Sequence, residues 1–301
     1  MTAICFAFFC LIASVLPASA AGIPVFSGER ALELAAAQCE FGPRNPGSAG
    51  AKAALAWMTE QLKASAPQLR PHAFSMPDPY APEESLHLTN LVASFRPEAT
   101  RRIALAAHWD TRAFADQEEG ERASEPILGA NDGASGVAVL LALAELMAQE
   151  APSVGIDLLF FDGEDYGREG DSDNYLLGSR RFVADHPAYR PEALILLDMV
   201  GEAGLNIPME LYGLQNAPEL TRLVFGRASA LGLWAFESRP GDAVLDDHIP
   251  FLQAGIPAID LIDLDYDAWH THADTMDKLS AESLRQVGQL LCALIYLDFA
   301  N

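Results

Sequence analysis

The chain has 301 residues, of which 50% are hydrophobic and 20% are charged, and this balance is typical of a globular protein with one large core. Its formal net charge is −23, from 19 Lys and Arg against 42 Asp and Glu. Nucleic acid is therefore excluded as an expected partner, because a phosphate backbone binds basic surfaces.

The first part of the chain has the features of an export signal. Residues 4–16 form a short apolar run, and an A-x-A cleavage site ends at Ala20. We expect a signal peptide at residues 1–20, an exported product in the periplasm or outside the cell, and one catalytic domain at residues 21–301. No Lys or Arg precedes the apolar run, so an uncleaved anchor stays an alternative. No later stretch has the length needed to span a bilayer, so we expect no membrane contact after cleavage.

Two cysteines remain after the expected cleavage, and they lie on the first and last predicted helices. An exported protein can hold Cys39 and Cys292 as a disulfide or as two buried free thiols. The sequence leaves both states open.

Helices and buried strands alternate along the rest of the chain. Apolar spacing and capping residues predict helices at 27–38, 49–64, 136–150, 178–185, 217–231 and 280–299. Near-continuous apolar runs, which are typical of strands covered on both faces, lie at 88–95, 103–107, 156–161, 193–200 and 257–262. This alternation predicts an α/β fold of three layers, α/β/α, around a twisted, mostly parallel mixed sheet.

Histidines and acidic residues stand in the loops of this pattern, most of them directly after a predicted strand. Their order along the chain is His108, Asp132, Asp165, Asp198 and His270. Sites in open α/β sheets form outside the carboxyl ends of strands, and imidazole and carboxylate are ligands that zinc takes. The sequence therefore predicts a metalloenzyme.

Glu164 and Asp165 are adjacent after one strand, and neighbouring residues on such a backbone point in different directions. One carboxylate can bind a metal while the other faces a substrate, which is what metal-assisted amide chemistry needs. Asp198 ends an apolar strand, where a carboxylate is costly unless it is paired or bound to a metal.

The region from Ile103 to Ser280 resembles the glutaminyl-peptide cyclotransferases, or glutaminyl cyclases, and the related zinc aminopeptidases. The resemblance rests on segments in the family's order and spacing: ILGANDGASGVAVLL, FFDGED, YLLGSRRF, LLDMVG, LDDHIPFLQAGIPAI and WHT. It implies the shared α/β fold of that family and zinc as the cofactor of the domain at residues 21–301.

The resemblance also implies a ligand set. Asp132, Asp165 and His270 would hold one zinc, and His270 is preferred over His272 because it fits the family's HTxxDT motif. In the aminopeptidases, residues matching His108 and Asp198 complete a second zinc site. One ion is therefore expected for a cyclase and two for an aminopeptidase.

Further roles follow from the same resemblance. Glu164 is implied as the proton shuttle, and Asp198 and Asp246 as an acidic hydrogen-bond network near the reacting amide. Trp269 is implied as a wall of the substrate pocket. The family pattern also implies a cis peptide bond from Asp132 to Gly133.

Three functions stay open, with cyclisation preferred because DDHIPF and WHT are closer to the cyclases. A cyclase converts the N-terminal glutamine of a peptide to pyroglutamate and releases ammonia, whereas an aminopeptidase hydrolyses the first peptide bond with water activated between zinc and Glu164. The third function, a catalytically inactive binding domain, is disfavoured by the intact ligand set. The expected partners are the N-termini of peptides or proteins, and the expected state is a monomer.

Overall fold

A six-stranded mixed sheet forms the centre of the molecule in a computed structural model, which describes residues 22–168 and 170–300. The predicted signal peptide lies outside the described residues. The strands of this sheet and of a separate two-stranded ladder are, in chain order, β1 (Gln68–Pro77), β2 (Ser85–Phe95), β3 (Arg102–His108), β4 (Gly155–Phe161), β5 (Ala193–Asp198), β6 (Ile207–Met209), β7 (Phe236–Pro240) and β8 (Ala258–Ile262).

The order of the six strands is β1-β2-β4-β3-β5-β8, and β6 pairs with β7 in the small ladder. β4, β3, β5 and β8 run parallel to one another, whereas β1 and β2 form an antiparallel hairpin at one edge of the sheet. His108 pairs with Phe161, and Asp198 pairs with Ile262, so the carboxyl ends of the parallel strands meet at one edge of the sheet. The predicted mostly parallel mixed sheet is confirmed.

Helices cover both faces of the sheet, which confirms the predicted three layers. They are α1 (Gly28–Cys39), α2 (Ala49–Ser65), α3 (Ala134–Gln149), α4 (Leu177–Asp185), α5 (Leu211–Asn216), α6 (Pro218–Ala230), α7 (Ile249–Gln253) and α8 (Ala281–Ala293). α1, α2, α3 and α8 pack together on one face, while α4 and α7 lie on the other. Within the described parts of the chain, no helix combines the length and the apolar character needed to cross a bilayer.

The core follows from side chains that alternate between the two faces of each strand. Ile103 and Leu105 belong to the large cluster under α1, α3 and α8, whereas Ala104 and Ala106 face the side that holds α4 and α7. Close packing is visible at Gly136 of α3, where a Cβ atom would lie 2.4 Å from the carbonyl oxygen of Leu197. α3 therefore lies directly against β5, and this contact fixes the loop that precedes α3.

Several elements differ from the predicted ones. β1 was not predicted, because its sequence is polar, contains two prolines and is largely exposed at the sheet edge. β5 ends at Asp198 rather than at residue 200, since Met199 takes a positive φ of 46° that a strand cannot continue. α8 ends at Ala293, and a short π-helical turn, Leu294–Asp298, completes the predicted last helix.

Both cysteines of the described residues are free thiols. Cys292 is fully buried, and burial raises the pKa of its thiol to about 12. Because the thiolate is the reactive form, we expect iodoacetamide at pH 8 to leave Cys292 unmodified in the folded protein and to modify both Cys39 and Cys292 after unfolding. Mass spectrometry of digested samples measures this, and rapid labelling of Cys292 in the folded protein or a Cys39–Cys292 disulfide would contradict it.

Candidate metal centre and active site

Two groups of potential metal ligands lie at the carboxyl edge of the parallel strands. The first consists of Asp132, Asp165 and His270, and the second of His108, Asp132 and Asp198, with Asp132 shared between them. Within each group the ligand atoms lie within 4.8 Å of one another. All five side chains that the sequence placed near strand ends are thus brought together.

The first group has the spacing of a metal site. Nε2 of His270 lies 3.4 Å from Oδ2 of Asp132 and 3.5 Å from Oδ2 of Asp165. Ligand atoms bound tetrahedrally at about 2.1 Å from zinc lie about 3.4 Å apart. Oδ2 of Asp165 is buried and has no hydrogen-bond partner, so its lone pairs are free to bind a cation. These residues therefore fit a zinc ion.

The loop before α3 holds Asp132 in place. The amides of Asn131 and Asp132 donate to the carboxylate of Asp274 at 2.8 and 3.1 Å, so this carboxylate fixes the backbone of a candidate ligand. Burial raises the pKa of Asp274 to about 6, with the charge of Asp132 adding to the effect. Sequence motifs placed Asp274 only beside His270, and nothing local indicated its contact with a loop far away in the chain.

The expected cis bond from Asp132 to Gly133 is wrong, because every peptide bond among the described residues is trans. The turn is made instead by Gly133, which has φ 93°. A Cβ atom there would lie 2.6 Å from the carbonyl oxygen of Asp110, so only glycine fits.

His270, and not His272, faces the carboxylates. Its backbone has φ 54°, a left-handed conformation that turns the ring toward the first group. Nδ1 of His272 lies 2.9 Å from Oε2 of Glu118, and this contact directs His272 away from the centre. Trp269 stacks on the His270 ring with centroids 4.1 Å apart.

The second group is centred on His108. Its Nε2 lies 3.2 Å from both Oδ1 of Asp132 and Oδ1 of Asp198, while its Nδ1 lies 3.6 Å from Asp110. Burial lowers the pKa of His108, but the three carboxylates outweigh it and raise that pKa well above its ordinary value. Burial raises the pKa of Asp198 to about 7. The carboxyl group of Asp198 can therefore exchange a proton near neutral pH.

Glu164 is a buried carboxylate that belongs to neither group of candidate ligands. It begins a short 3-10 turn, and the amides of Glu164 and Asp165 both donate to the carboxylate of Asp110. Oε2 of Glu164 lies 4.0 Å from Nδ1 of His108. Burial, with the charge of Asp165, raises the pKa of Glu164 well above its ordinary value. Such a carboxyl group is suited to accept and return a proton.

Asp246 and Asp198 belong to a buried acidic cluster, together with Asp260 of β8. Burial raises the pKa of Asp260 well above its ordinary value, and the charges of Asp246 and Asp198 add to this. Oδ2 of Asp246 is buried without a hydrogen-bond partner. Asp260 was not predicted, although an aspartate inside the apolar run of residues 257–262 was an available signal.

A cavity of about 500 Å³ opens beside His270. Its wall includes Arg112, Asp116, Tyr175, Leu245 and Trp269. Trp269 and Leu245 are large apolar side chains that stay 37% and 44% exposed. The structure thus places Trp269 at a cavity wall, next to a candidate ligand.

Two further residues of that wall were not singled out from the sequence. Arg112 donates to Oδ1 of Asp165 at 2.9 Å, and Asp116 lies 3.2 Å from Nδ1 of His270. Burial raises the pKa of Asp116, but hydrogen bonds with His270 and Arg112 outweigh it and hold that pKa below its ordinary value.

A mixed sheet between helical layers, with two groups of potential metal ligands at its carboxyl edge, defines an α/β protein with a candidate metal site at its strand ends. The chain matches Peptidase family M28 over residues 90–295, and it therefore belongs to that family.

Relatives of the chain carry two kinds of name. It is 29% identical to a mouse glutaminyl-peptide cyclotransferase-like protein over 72% of its own length and 63% of that protein. The structure of a Bacteroides thetaiotaomicron glutaminyl cyclase is similar with a TM-score of 0.87 and 34% identity, covering 91% of this chain and 99% of that one. A Zn-dependent exopeptidase from Parabacteroides distasonis is equally similar, with a TM-score of 0.87, 33% identity and the same coverage.

Proposed function

We propose that the protein is a zinc-dependent glutaminyl-peptide cyclotransferase, which converts the N-terminal glutamine of peptides to pyroglutamate and releases ammonia. The observation that carries the proposal is the stacking of Trp269 on His270 at the wall of the cavity of about 500 Å³. An aromatic wall directly against a candidate ligand suits a small, tightly held side chain. The similarity to glutaminyl cyclases over most of the chain supports the same function.

Asp132, Asp165 and His270 are proposed to hold one zinc. Zinc bound there would supply a Lewis acid that polarises the carbonyl of the glutamine side-chain amide.

Glu164 is proposed to move the proton. The α-amine of the substrate attacks the side-chain carbonyl carbon, and Glu164 accepts the proton that the amine loses. Glu164 then returns this proton to the amide nitrogen, the bond from carbon to that nitrogen breaks, and ammonia leaves. One C–N bond forms and one breaks, so no water is consumed. The buried position and raised pKa of Glu164 support this role.

Asp198 and Asp246 are proposed to bind the reacting amide nitrogen through their buried acidic cluster. The raised pKa of Asp198 favours its protonated form. In that form one carboxyl oxygen donates a hydrogen bond and the other accepts one, so both oxygens can bind polar groups of the substrate. Trp269 is proposed to lie against the substrate side chain and to exclude water, which would otherwise compete with the amine.

A comparison of two peptides tests the proposal. We expect ammonia release from a glutaminyl peptide and little free leucine from a leucyl peptide, because a site built around an amide discriminates strongly against side chains that lack it. Efficient release of leucine without pyroglutamate would contradict the cyclase function.

The same assay tests Trp269. Trp269→Ala should lower cyclisation about 10–100-fold, since a loosely held side chain loses its alignment with the amine. Trp234→Ala is a matched control, because Trp234 is also exposed, at 52%, but is not part of the cavity wall. Equal activities of the two variants would show that Trp269 does not bind substrate.

Aminopeptidase activity is the second candidate function. It is favoured by the second ligand group of His108, Asp132 and Asp198, which offers a place for another metal ion. Two zinc ions per chain together with release of free leucine would establish it. The similarity to a Zn-dependent exopeptidase supports keeping this alternative.

The setting of the activity is also a proposal. We infer that residues 1–20 are removed on export, that residues 21–301 form one zinc-dependent catalytic domain, and that this domain acts as a monomer in the periplasm or outside the cell. The N-termini of peptides or proteins are its proposed substrates.

A further inference from the structure

Arg112 lies buried between the two loops that supply Asp165 and His270, with only 1% of its surface exposed. Its Nη1 donates to Oδ1 of Asp165 at 2.9 Å and to the carbonyl oxygen of Gly167 at 2.8 Å. Its Nε donates to both carboxylate oxygens of Asp116 at 3.1 Å, and Nη2 donates to Asp116 as well. One guanidinium group therefore holds two carboxylates at once.

Asp116 continues this contact to the imidazole. Its Oδ1 lies 3.2 Å from Nδ1 of His270. An unbroken series of contacts thus runs from Asp165 through Arg112 and Asp116 to His270.

The two end contacts of the series each occupy one polar atom of a candidate ligand and leave its other atom directed at the first group. Arg112 occupies Oδ1 of Asp165, while Oδ2 has no hydrogen-bond partner. Asp116 occupies Nδ1 of His270, while Nε2 lies 3.5 Å from that same Oδ2. The two atoms that face each other are the two that a metal needs.

We propose that Arg112 and Asp116 form a positioning pair that sets the zinc affinity of the first group. This inference rests on the proposed zinc site, and it assigns the pair no contact with substrate. A carboxylate that accepts Nδ1–H fixes the tautomer and the orientation of a ligating histidine. A guanidinium group holds carboxylates in a planar, two-pronged geometry that a lysine ammonium cannot reproduce.

The expected effect is a change in metal affinity. Partners of this kind typically contribute about 10–100-fold to metal binding. Asp116→Ala frees the His270 ring and removes an ion-pair partner of Arg112, so we expect the zinc dissociation constant to rise about 10–100-fold. Asp116→Asn can still accept a hydrogen bond from His270 but loses its charge toward Arg112. Arg112→Lys keeps the positive charge but loses the planar, two-pronged geometry of the guanidinium group. The zinc dissociation constants of both variants should therefore lie between those of Asp116→Ala and the unchanged protein.

Competition with a chromophoric chelator measures the zinc dissociation constant of the full-length purified protein and each variant. The matched control is Arg102→Gln. Arg102 forms a partly buried ion pair with a buried aspartate, with its Nη2 2.6 Å from Oδ1 of Asp157, but it starts β3 at the end opposite to His108. This variant should lower the melting temperature and leave the zinc affinity unchanged.

Zinc binding within about threefold of the unchanged protein in Asp116→Ala would overturn the proposal, because it requires a loss of at least about tenfold in this variant. An equal loss of affinity in Arg102→Gln would overturn it too, since the effect would then be general destabilisation. A readout without substitution is the nitrogen-15 spectrum of the histidine rings in the zinc-loaded protein, which should show a proton on Nδ1 of His270. The opposite tautomer would contradict the pair, even if the variants fail to fold.

The proposed function is tested separately from this inference. A protein that binds zinc and makes no pyroglutamate would contradict the cyclase function and leave the positioning pair unaffected. An active cyclase whose zinc affinity does not change on substitution of Asp116 would contradict the positioning pair and leave the cyclase function unaffected.

Discussion

Glu164→Gln is expected to lower the turnover of a glutaminyl peptide by about 10²–10⁴-fold, which is the usual contribution of a general acid–base group. The amide has nearly the shape of the carboxylate but cannot accept the proton of the attacking amine. The zinc content should stay unchanged, because Glu164 belongs to neither ligand group. Steady-state kinetics and metal analysis of the same sample measure both quantities.

Stability gives a second readout for this variant. Burial and the neighbouring Asp165 raise the pKa of Glu164, so its ionised form is disfavoured in the folded state. An uncharged glutamine removes this penalty at neutral pH and above, and metal-free Glu164→Gln should therefore melt at or above the temperature of the unchanged protein. Glu145→Gln is the control, since Glu145 pairs with Arg30 on the helical layer. A loss of turnover below about tenfold in Glu164→Gln would identify another residue as the base.

Removal of zinc is expected to abolish turnover and to lower the melting temperature. Zinc at a free concentration of 100 times its dissociation constant contributes about 2.7 kcal/mol to the free energy of unfolding. At about 2–4 °C for each kcal/mol in a domain of comparable size, the melting temperature should fall by about 5–11 °C after chelation. The physical reason is that Asp132 and Asp165 lie buried near each other and lose the cation between them.

The readdition of zinc separates the two candidate functions. Full recovery of pyroglutamate formation with one zinc per chain is expected for the cyclase, whereas recovery of leucine release with two would favour the aminopeptidase. Asp165→Asn serves as the control, because its melting temperature should no longer respond to the chelator. Turnover that persists after metal analysis has verified the loss of zinc would contradict a metal-dependent reaction.

The central strands could be predicted because burial on both faces of the sheet makes their sequences almost entirely apolar. The run at residues 156–161 is apolar apart from Asp157 since β4 is covered on both faces, and the runs at 103–107 in β3 and 193–197 in β5 are apolar for the same reason. The small ladder of β6 and β7 gave no such signal. Its strands are short, and β7 is mostly exposed.

The candidate ligands could be located because strand ends carry them. His108 ends β3 and Asp198 ends β5, so the position of each in the sheet follows from the sequence pattern. Arg112 and Asp116 could not be found in this way. They lie in a loop without regular structure, and their contacts with Asp165 and His270 depend on how distant loops fold over the sheet edge.

The exposed edge of the sheet has a consequence for the behaviour of concentrated solutions. β1 is an edge strand, and Pro71 and Pro77 lie in the same phase of its alternation. A proline has no amide hydrogen, and in edge strands it is placed where its nitrogen faces away from the paired strand, so we expect the outward row of donors to be interrupted at these two positions. A second molecule cannot continue the sheet along this side with a regular ladder. This edge should therefore resist the growth of aggregates through strand addition.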